Sequence, residues 1–203
     1  MIRLLGKVAN RNDFAYVACS GGVDSMAVCS FLEKMRVQYR PVFFNHGTET
    51  SRKAEKFLRD KYHDGLLVGK IKSGKSKSES YEEYWRKERY GFLKTLNAPV
   101  ITAHHLDDCV ETWVWGSLHG TPKMPEYFNG TVYRPFLLNK KVELENWAKR
   151  HDVEWIEDES NKDTNFQRNY IRHELMPKIL KVNPGIHKVI KKKLLDKYSL
   201  QEK

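Results

Sequence analysis

Apolar residues along the chain come in two rhythms. Short unbroken runs at 14–19 (FAYVAC), 41–46 (PVFFNH), 65–68 (GLLV) and 99–105 (PVITAHH) have strand length and end in polar or turn residues. Between them lie stretches of helical character: an apolar one over 26–35, a polar-faced one over about 52–62, a long one over 79–96, and another over 110–118. The alternation predicts an α/β fold, a parallel sheet wrapped by helices. In such sheets ligands sit beyond the carboxyl ends of the strands, where Ser20, His46 and His104 fall. The segment 72–80 (KSGKSKSES) reads as a basic loop, and 119–133, with Gly120, Pro122, Pro125 and Gly130, as a second loop. A helix over about 140–150, a short strand near 153–156 and a basic helix over 186–197 complete the pattern. Pro177 is expected to limit the helix that precedes it.

The first strand breaks at Ser20-Gly21-Gly22 and resumes as an apolar helix, with Asp24 and Ser25 at its start. Two readings fit. In one, the glycines bring backbone N–H groups close to a phosphate at a helix N-terminus. In the other, glycine eases an ordinary turn and Asp24 or Ser25 caps the helix. An aspartate repels a bare phosphate, so the first reading requires a magnesium ion held by Asp24 and bridging to phosphate oxygens. That chemistry suits attack at a nucleotide α-phosphate with pyrophosphate leaving. A rival lies at 69–76, which matches G-x-x-x-x-G-K-[ST] literally. It stands in a lysine- and serine-rich run after a short strand, with no apolar helical start behind it and no convincing Walker B aspartate later.

The segment 102–112 (TAHHLDDCVET) puts two histidines and three acids where a strand gives way to a helix. Asp108 and Glu111 share a helix face. They suit an ammonium group, or less well a second metal. Capping accounts for one of the acids but not all three. In 82–93 (EEYWRKERYGFL), Arg86 and Arg89 are either solvated or aimed at the sheet edge, where one could stabilise a triphosphate or charge developing on transfer. The segment 155–177 mixes acids, asparagines and arginines too densely for a plain helix.

Charge changes the picture by adding a partner. The 203 residues carry 36 Lys and Arg against 26 Asp and Glu, a formal net charge of +10. This points to a polyanion, nucleic acid first, with solubility as the alternative. The basic helix at 186–197 is read equally as an RNA-contacting face or a solvated one. Cys19, Cys29 and Cys109 are an odd number with no C-x-x-C pair, which fits a reducing compartment and argues against a cysteine-built metal site. The longest apolar runs are strand-length, so no membrane partner is expected and the protein is expected in the cytoplasm. The oligomeric state stays open, a homodimer included.

These motifs resemble a known family. SGGVDS, HHLDDCVET, Arg134-Pro135 and WIEDESNKD…RNYIR occur in the order and spacing of tRNA(Ile)-lysidine synthetases, which are PP-loop ATP pyrophosphatases, over about residues 14–180. SGGVDS marks only the superfamily; the last block is the specific part. Glu82, Arg86, Arg89 and Tyr90 match the family's E-x-x-x-R-x-x-R-Y helix.

The resemblance implies a PP-loop ATP pyrophosphatase fold of the adenine nucleotide alpha hydrolase type. It places a catalytic domain at 1–180 and a small helical C-terminal extension at 181–203. The implied reaction uses ATP and Mg2+ to adenylate the C2 oxygen of the wobble cytidine of a tRNA(Ile) with CAU anticodon. The ε-amine of free L-lysine then displaces AMP. Ser20, Gly21, Gly22, Asp24 and Ser25 would bind ATP, with Asp24 on the metal. Arg86, Asp24, Asp107 and Asp108 would be catalytic. Asp108, Glu111 and His105 would bind lysine. Arg168, Arg172, Lys188, Lys191, Lys192 and Lys193 are the expected RNA contacts. The sequence departs from the family at Cys109 (usually glutamine), at Thr48 after His46-Gly47 (often leucine), at Trp85 (usually small) and in ending before the usual C-terminal domains. A 2-thiolating relative and a catalytically inactive RNA-binding relative are the alternatives.

Overall fold

The computed structural model describes residues 2–6 and 14–199. Five parallel strands form one sheet in the order β3-β2-β1-β4-β5. They are β1 (Ala15–Ala18), β2 (Tyr39–Asn45), β3 (Leu67–Lys70), β4 (Val100–Ile101) and β5 (Val132–Tyr133). Among the described residues the α-helices are α1 (Val23–Lys34), α2 (Glu49–Tyr62), α3 (Tyr81–Lys94), α4 (Leu106–Leu118), α5 (Lys141–Arg150), α6 (Gln167–Tyr170), α7 (Met176–Val182) and α8 (Ile186–Ser199). The chain builds outward from β1 through β2 to β3, then crosses back to β4 on the other side of β1. The reversal opens a crevice above the carboxyl ends of β1 and β4, the usual ligand position in doubly wound sheets.

Three apolar clusters hold the layers. One face packs β1 and β2 against α1, α2 and α5 through Val17, Phe31, Leu32, Phe43, Leu58 and Leu144. The Trp147 ring of α5 meets Phe31 at 5.1 Å. The other face lies under α3, where Val42, Leu93, Val100 and Val132 are buried. A third cluster joins α4 to α7 and α8 through Val110, Val114, Met176, Ile186, Ile190 and Leu194. The basic helix is therefore docked, not free-standing. Its apolar stripe faces α4 and leaves Lys188, Lys192 and Lys193 exposed, while Lys191 donates to the Leu138 carbonyl at 2.9 Å.

Several sequence expectations shift. The helix expected from residue 110 starts at Leu106, because His105 and Asp108 form a reciprocal capping box there. No strand forms at 153–156; the Ile156 N–H instead donates to the Gly21 carbonyl at 2.9 Å, one bond rather than a ladder. The expected loop at 119–133 ends in the two-residue β5, too short to announce itself by alternation. Pro177 does not limit a preceding helix but stands in the first turn of α7, directly after a π-helical turn over Ile171–Leu175. Residues 167–182 are helical without a break, so Pro177 removes a donor inside the run, and the π-helical turn before it is where the ladder adjusts.

Candidate active site at the sheet's switch point

The glycine loop is shaped from within. Gly21 has φ of +83°, and a β-carbon there would press on Ile156 at 3.2 Å, so glycine is required. A β-carbon on Gly22 would meet only the Ser20 hydroxyl, at 3.6 Å, leaving the mouth of the loop open. The buried Ser25 hydroxyl accepts from the Ser20 N–H at 3.1 Å and donates to the Gly22 carbonyl at 3.0 Å. Ser25 thus braces the loop from behind. Gly22 provides no side-chain cap for α1, so the N–H groups of the first turn are free to meet an anion.

Asp24 points into the crevice. Its Oδ1 is buried with no hydrogen-bond partner, and its Oδ2 lies 3.7 Å from His105 Nε2. A buried carboxylate oxygen without a donor fits a cation. Among the described residues no three His, Cys, Asp or Glu side chains gather as a metal cage. This donor set therefore suits magnesium bound by one carboxylate, with substrate phosphates and water completing it.

His105 joins Asp24 to the acid cluster. Burial opposes its charge, but Asp108, Asp24 and Asp107 outweigh burial and raise its pKa. Asp108 and Glu111 are both buried, and each is met by arginine. Arg168 donates to Asp108 Oδ1 at 2.6 Å; Arg172 grips both oxygens of Glu111 at 2.8 and 2.9 Å. Burial would raise the Asp108 pKa, yet His105, Arg168 and His104 hold it far below the usual range. Arg168 and Arg172, expected at RNA, thus face inward to the acids expected to bind an amine. A second metal at Asp108 and Glu111 would displace both guanidiniums.

Asp107 is a bracket. Its Oδ2 accepts from the Lys141 N–H at 2.7 Å, and its Oδ1 faces His187 Nε2 at 3.1 Å, tying α4 to α5 and α8. Burial works against its charge, but the His187 and Lys141 contacts bring its pKa down to about 2. A catalytic proton transfer by Asp107 would have to break these bonds.

Beside the acids, a cavity of about 180 Å³ is lined by Glu82, Glu111, Thr112, Trp115, Gln167, Arg168 and Ile171. On α3, Arg86 and Arg89 lie 4.7 and 5.7 Å from the Tyr90 ring centroid, and Arg134 donates to the Tyr90 hydroxyl at 3.0 Å. Arg134, set between the end of β5 and Pro135, has no role in the sequence pattern beyond its place in a shared motif.

The rival loop at 69–76 is no phosphate cradle. A β-carbon at Gly69 would strike the Phe92 ring at 2.5 Å, so that glycine serves packing. The next helix starts only at Tyr81, and Lys75 bonds its own loop's carbonyls at Ser76 and Glu79.

A family profile described as the PP-loop domain matches residues 3–179. Curated relatives called tRNA(Ile)-lysidine synthase include one from Legionella pneumophila, 35% identical over 84% of this chain and 43% of its own length. One from Thermosipho africanus is 33% identical over 85% of this chain and 45% of its own length. The chain spans less than half the length of the curated relatives it matches. Among solved structures, an NH3-dependent NAD synthetase from Campylobacter jejuni superposes with a TM-score of 0.45 at 16% identity, covering 93% of this chain and 86% of that one. With a glycine loop open at the switch point and a family match running through nearly the whole described fold, the chain belongs to the PP-loop domain family.

Proposed function

We propose that this chain catalyses ATP-dependent modification of tRNA, joining L-lysine to C2 of a wobble cytidine of tRNA(Ile). The observation that carries the reading is the line of contacts from the glycine loop through Asp24 and His105 to Asp108. It places a free carboxylate oxygen, a histidine of raised pKa and an acid pair along one crevice. The names of the relatives supply the RNA and the amino acid.

In this reading the loop N–H groups and the α1 N-terminus bind the phosphates of ATP. Asp24 would hold Mg2+, which supplies charge neutralisation at the phosphates when bound. The cytidine C2 oxygen attacks the α-phosphorus, the bond to the β-phosphate oxygen breaks, and pyrophosphate leaves. Arg86 stabilises the charge that develops. The lysine ε-ammonium, with a free pKa of roughly 10.4, loses one proton to water before attacking C2, and the new C–N nitrogen loses a second to water as the bond forms. The C2–O bond then breaks and the oxygen departs with AMP. The amine reaches Glu111 through the cavity at Glu82, Trp115 and Arg168, sharing or displacing Arg168, whose side chain is 44% exposed, the more exposed of the two arginines. The thiolating alternative is disfavoured because Cys19, Cys29 and Cys109 are all buried, and burial pushes the Cys109 thiol up. The test is incubation with ATP, Mg2+, radiolabelled lysine and total tRNA. Label in RNA that depends on ATP supports the reading; ATP-dependent pyrophosphate release without label in RNA overturns it.

A further inference from the structure

We propose that Trp85, flanked by Tyr81 and Phe166, is a stacking platform for an unpaired nucleobase of the RNA, and that it makes the chain prefer a single-stranded loop to a duplex. A line of rings runs outward from the core. It starts at buried Phe44, passes to His46 at 5.0 Å between centroids, and reaches Trp85 after a further 5.5 Å. There it branches to Tyr81 at 5.5 Å and to Phe166 at 6.3 Å. The inner end is fixed by the sheet, since Phe44 also meets Phe92 of α3 at 5.8 Å. The outer end is not closed over: Trp85 and Phe166 are half-buried, and Tyr81 is 59% exposed. Packing alone accounts for the inner rings but not for an aromatic surface carried outward on a helix.

The position of these rings points to the RNA. Glu82, one turn from Trp85 on α3, and Gln167, next after Phe166, both line the cavity beside the acids, so the platform borders the proposed entry of the amine. The surroundings are cationic at the outer ring. Lys75 Nζ lies 5.0 Å from the Tyr81 centroid, held there by the Ser76 and Glu79 carbonyls, and Lys72 and Lys77 of the same loop are exposed. Ring faces beside fixed and mobile cations suit a base with its phosphate attached. A π-face accepts any base, but only one that has left a duplex stack, as in a loop.

The choice of RNA rests on the proposed function, but the test reads binding and not lysine transfer, so the two readings fail separately. Fluorescence anisotropy follows the full chain binding two labelled RNAs with the same number of phosphates: a stem-loop with CAU in its unpaired loop, and a perfect duplex. The variants are Trp85→Leu, which keeps apolar bulk and removes the π-face, and Trp85→Phe, which keeps a smaller π-face. Trp85→Leu should weaken stem-loop binding by about tenfold or more, and Trp85→Phe by less than about threefold. Duplex binding should stay within about twofold of the parent in both variants, which also shows that they fold. The salt dependence should be unchanged, because a stacked base releases no counterions. Equal stem-loop binding by the parent and Trp85→Leu overturns the platform. So does an equal loss for stem-loop and duplex, an equal loss in both variants, or no stem-loop binding by the parent. Weaker ATP binding with stem-loop binding intact would put adenine on these rings and overturns the RNA assignment.

Discussion

The molecule holds two charged clusters, and they are built on opposite terms. In one, Asp108 and Glu111 are matched by Arg168 and Arg172, so two buried acids meet two guanidiniums at 2.6 to 2.9 Å. In the other, Arg86, Arg89 and Arg134 crowd Tyr90, and among the described residues no acid answers them. The first cluster is neutralised by its own side chains; the second is not. A paired buried charge is strongly destabilising to break, whereas an unpaired one is destabilising to keep. Similar residue types therefore stand in different settings: the paired cluster holds α4 to the segment carrying Arg168 and Arg172, while the other leaves three guanidiniums without a carboxylate partner among the described residues.

The largest effect should come from breaking the paired cluster. Glu111→Gln leaves Arg172 without its bidentate partner, and should lower the unfolding free energy by about 3 kcal/mol, the lower end for a broken buried pair because Arg172 is a quarter exposed. Urea denaturation measures it; a loss under 1 kcal/mol would show that the pairing contributes little.

Asp24 is the exception on the acidic side, an acid with one oxygen unclaimed. Asp24→Asn should leave stability within about 0.5 kcal/mol while reducing pyrophosphate release by about 100-fold or more, the scale for removing a preorganised charge. Full activity in that variant would remove Asp24 from the chemistry.

Acid should bear on the unpaired cluster. Burial chiefly, aided by Arg134, Arg168 and Arg89, lowers the His104 pKa to about 3, with Asp108 opposing. Burial and Arg89 lower that of His46 to about 4. Both folded values lie below the unfolded one of about 6.5, so the neutral forms stabilise the fold above pH 6.5. That contribution is lost as pH falls from 6.5 towards 3 to 4. At pH 5 each histidine should have forfeited on the order of 1–2 kcal/mol. Urea midpoints at pH 7 and pH 5 should therefore separate less in a His104→Asn variant than in the parent.

The smallest effect concerns α8. Replacing Lys188, Lys192 and Lys193 with glutamine should not change stability by more than about 0.5 kcal/mol. If they contact RNA, the slope of log affinity against log salt should flatten by roughly 0.7–0.9 per lost contact. Lys191→Gln should behave differently, weakening the fold through the Leu138 carbonyl rather than the salt slope.

Much of the fold was readable before any coordinates. The runs at 14–19 and 41–46 announced β1 and β2 because buried parallel strands need continuous apolar residues. SGGVDS announced its loop because φ of +83° at Gly21 strains any residue but glycine. The strand expected at 153–156 failed for a specific reason: its apolar residues pack beside the loop, where Ile156 bonds Gly21 and no neighbouring strand runs. The two-residue β5 offered no period to detect.

What the sequence by itself determined is the layered fold, the glycine loop and the stock of acids and arginines, because apolar periodicity and backbone sterics are local and leave a local trace. Which charge meets which was decided by the tertiary structure alone. Arg168 reaches Asp108 across 60 residues and Arg172 reaches Glu111 across 61, while among the described residues Arg86 and Arg89 form no ion pair with an acid. Ion pairing carries no period along a chain; it depends on the distance and burial of side chains that only the packed sheet and helices bring together.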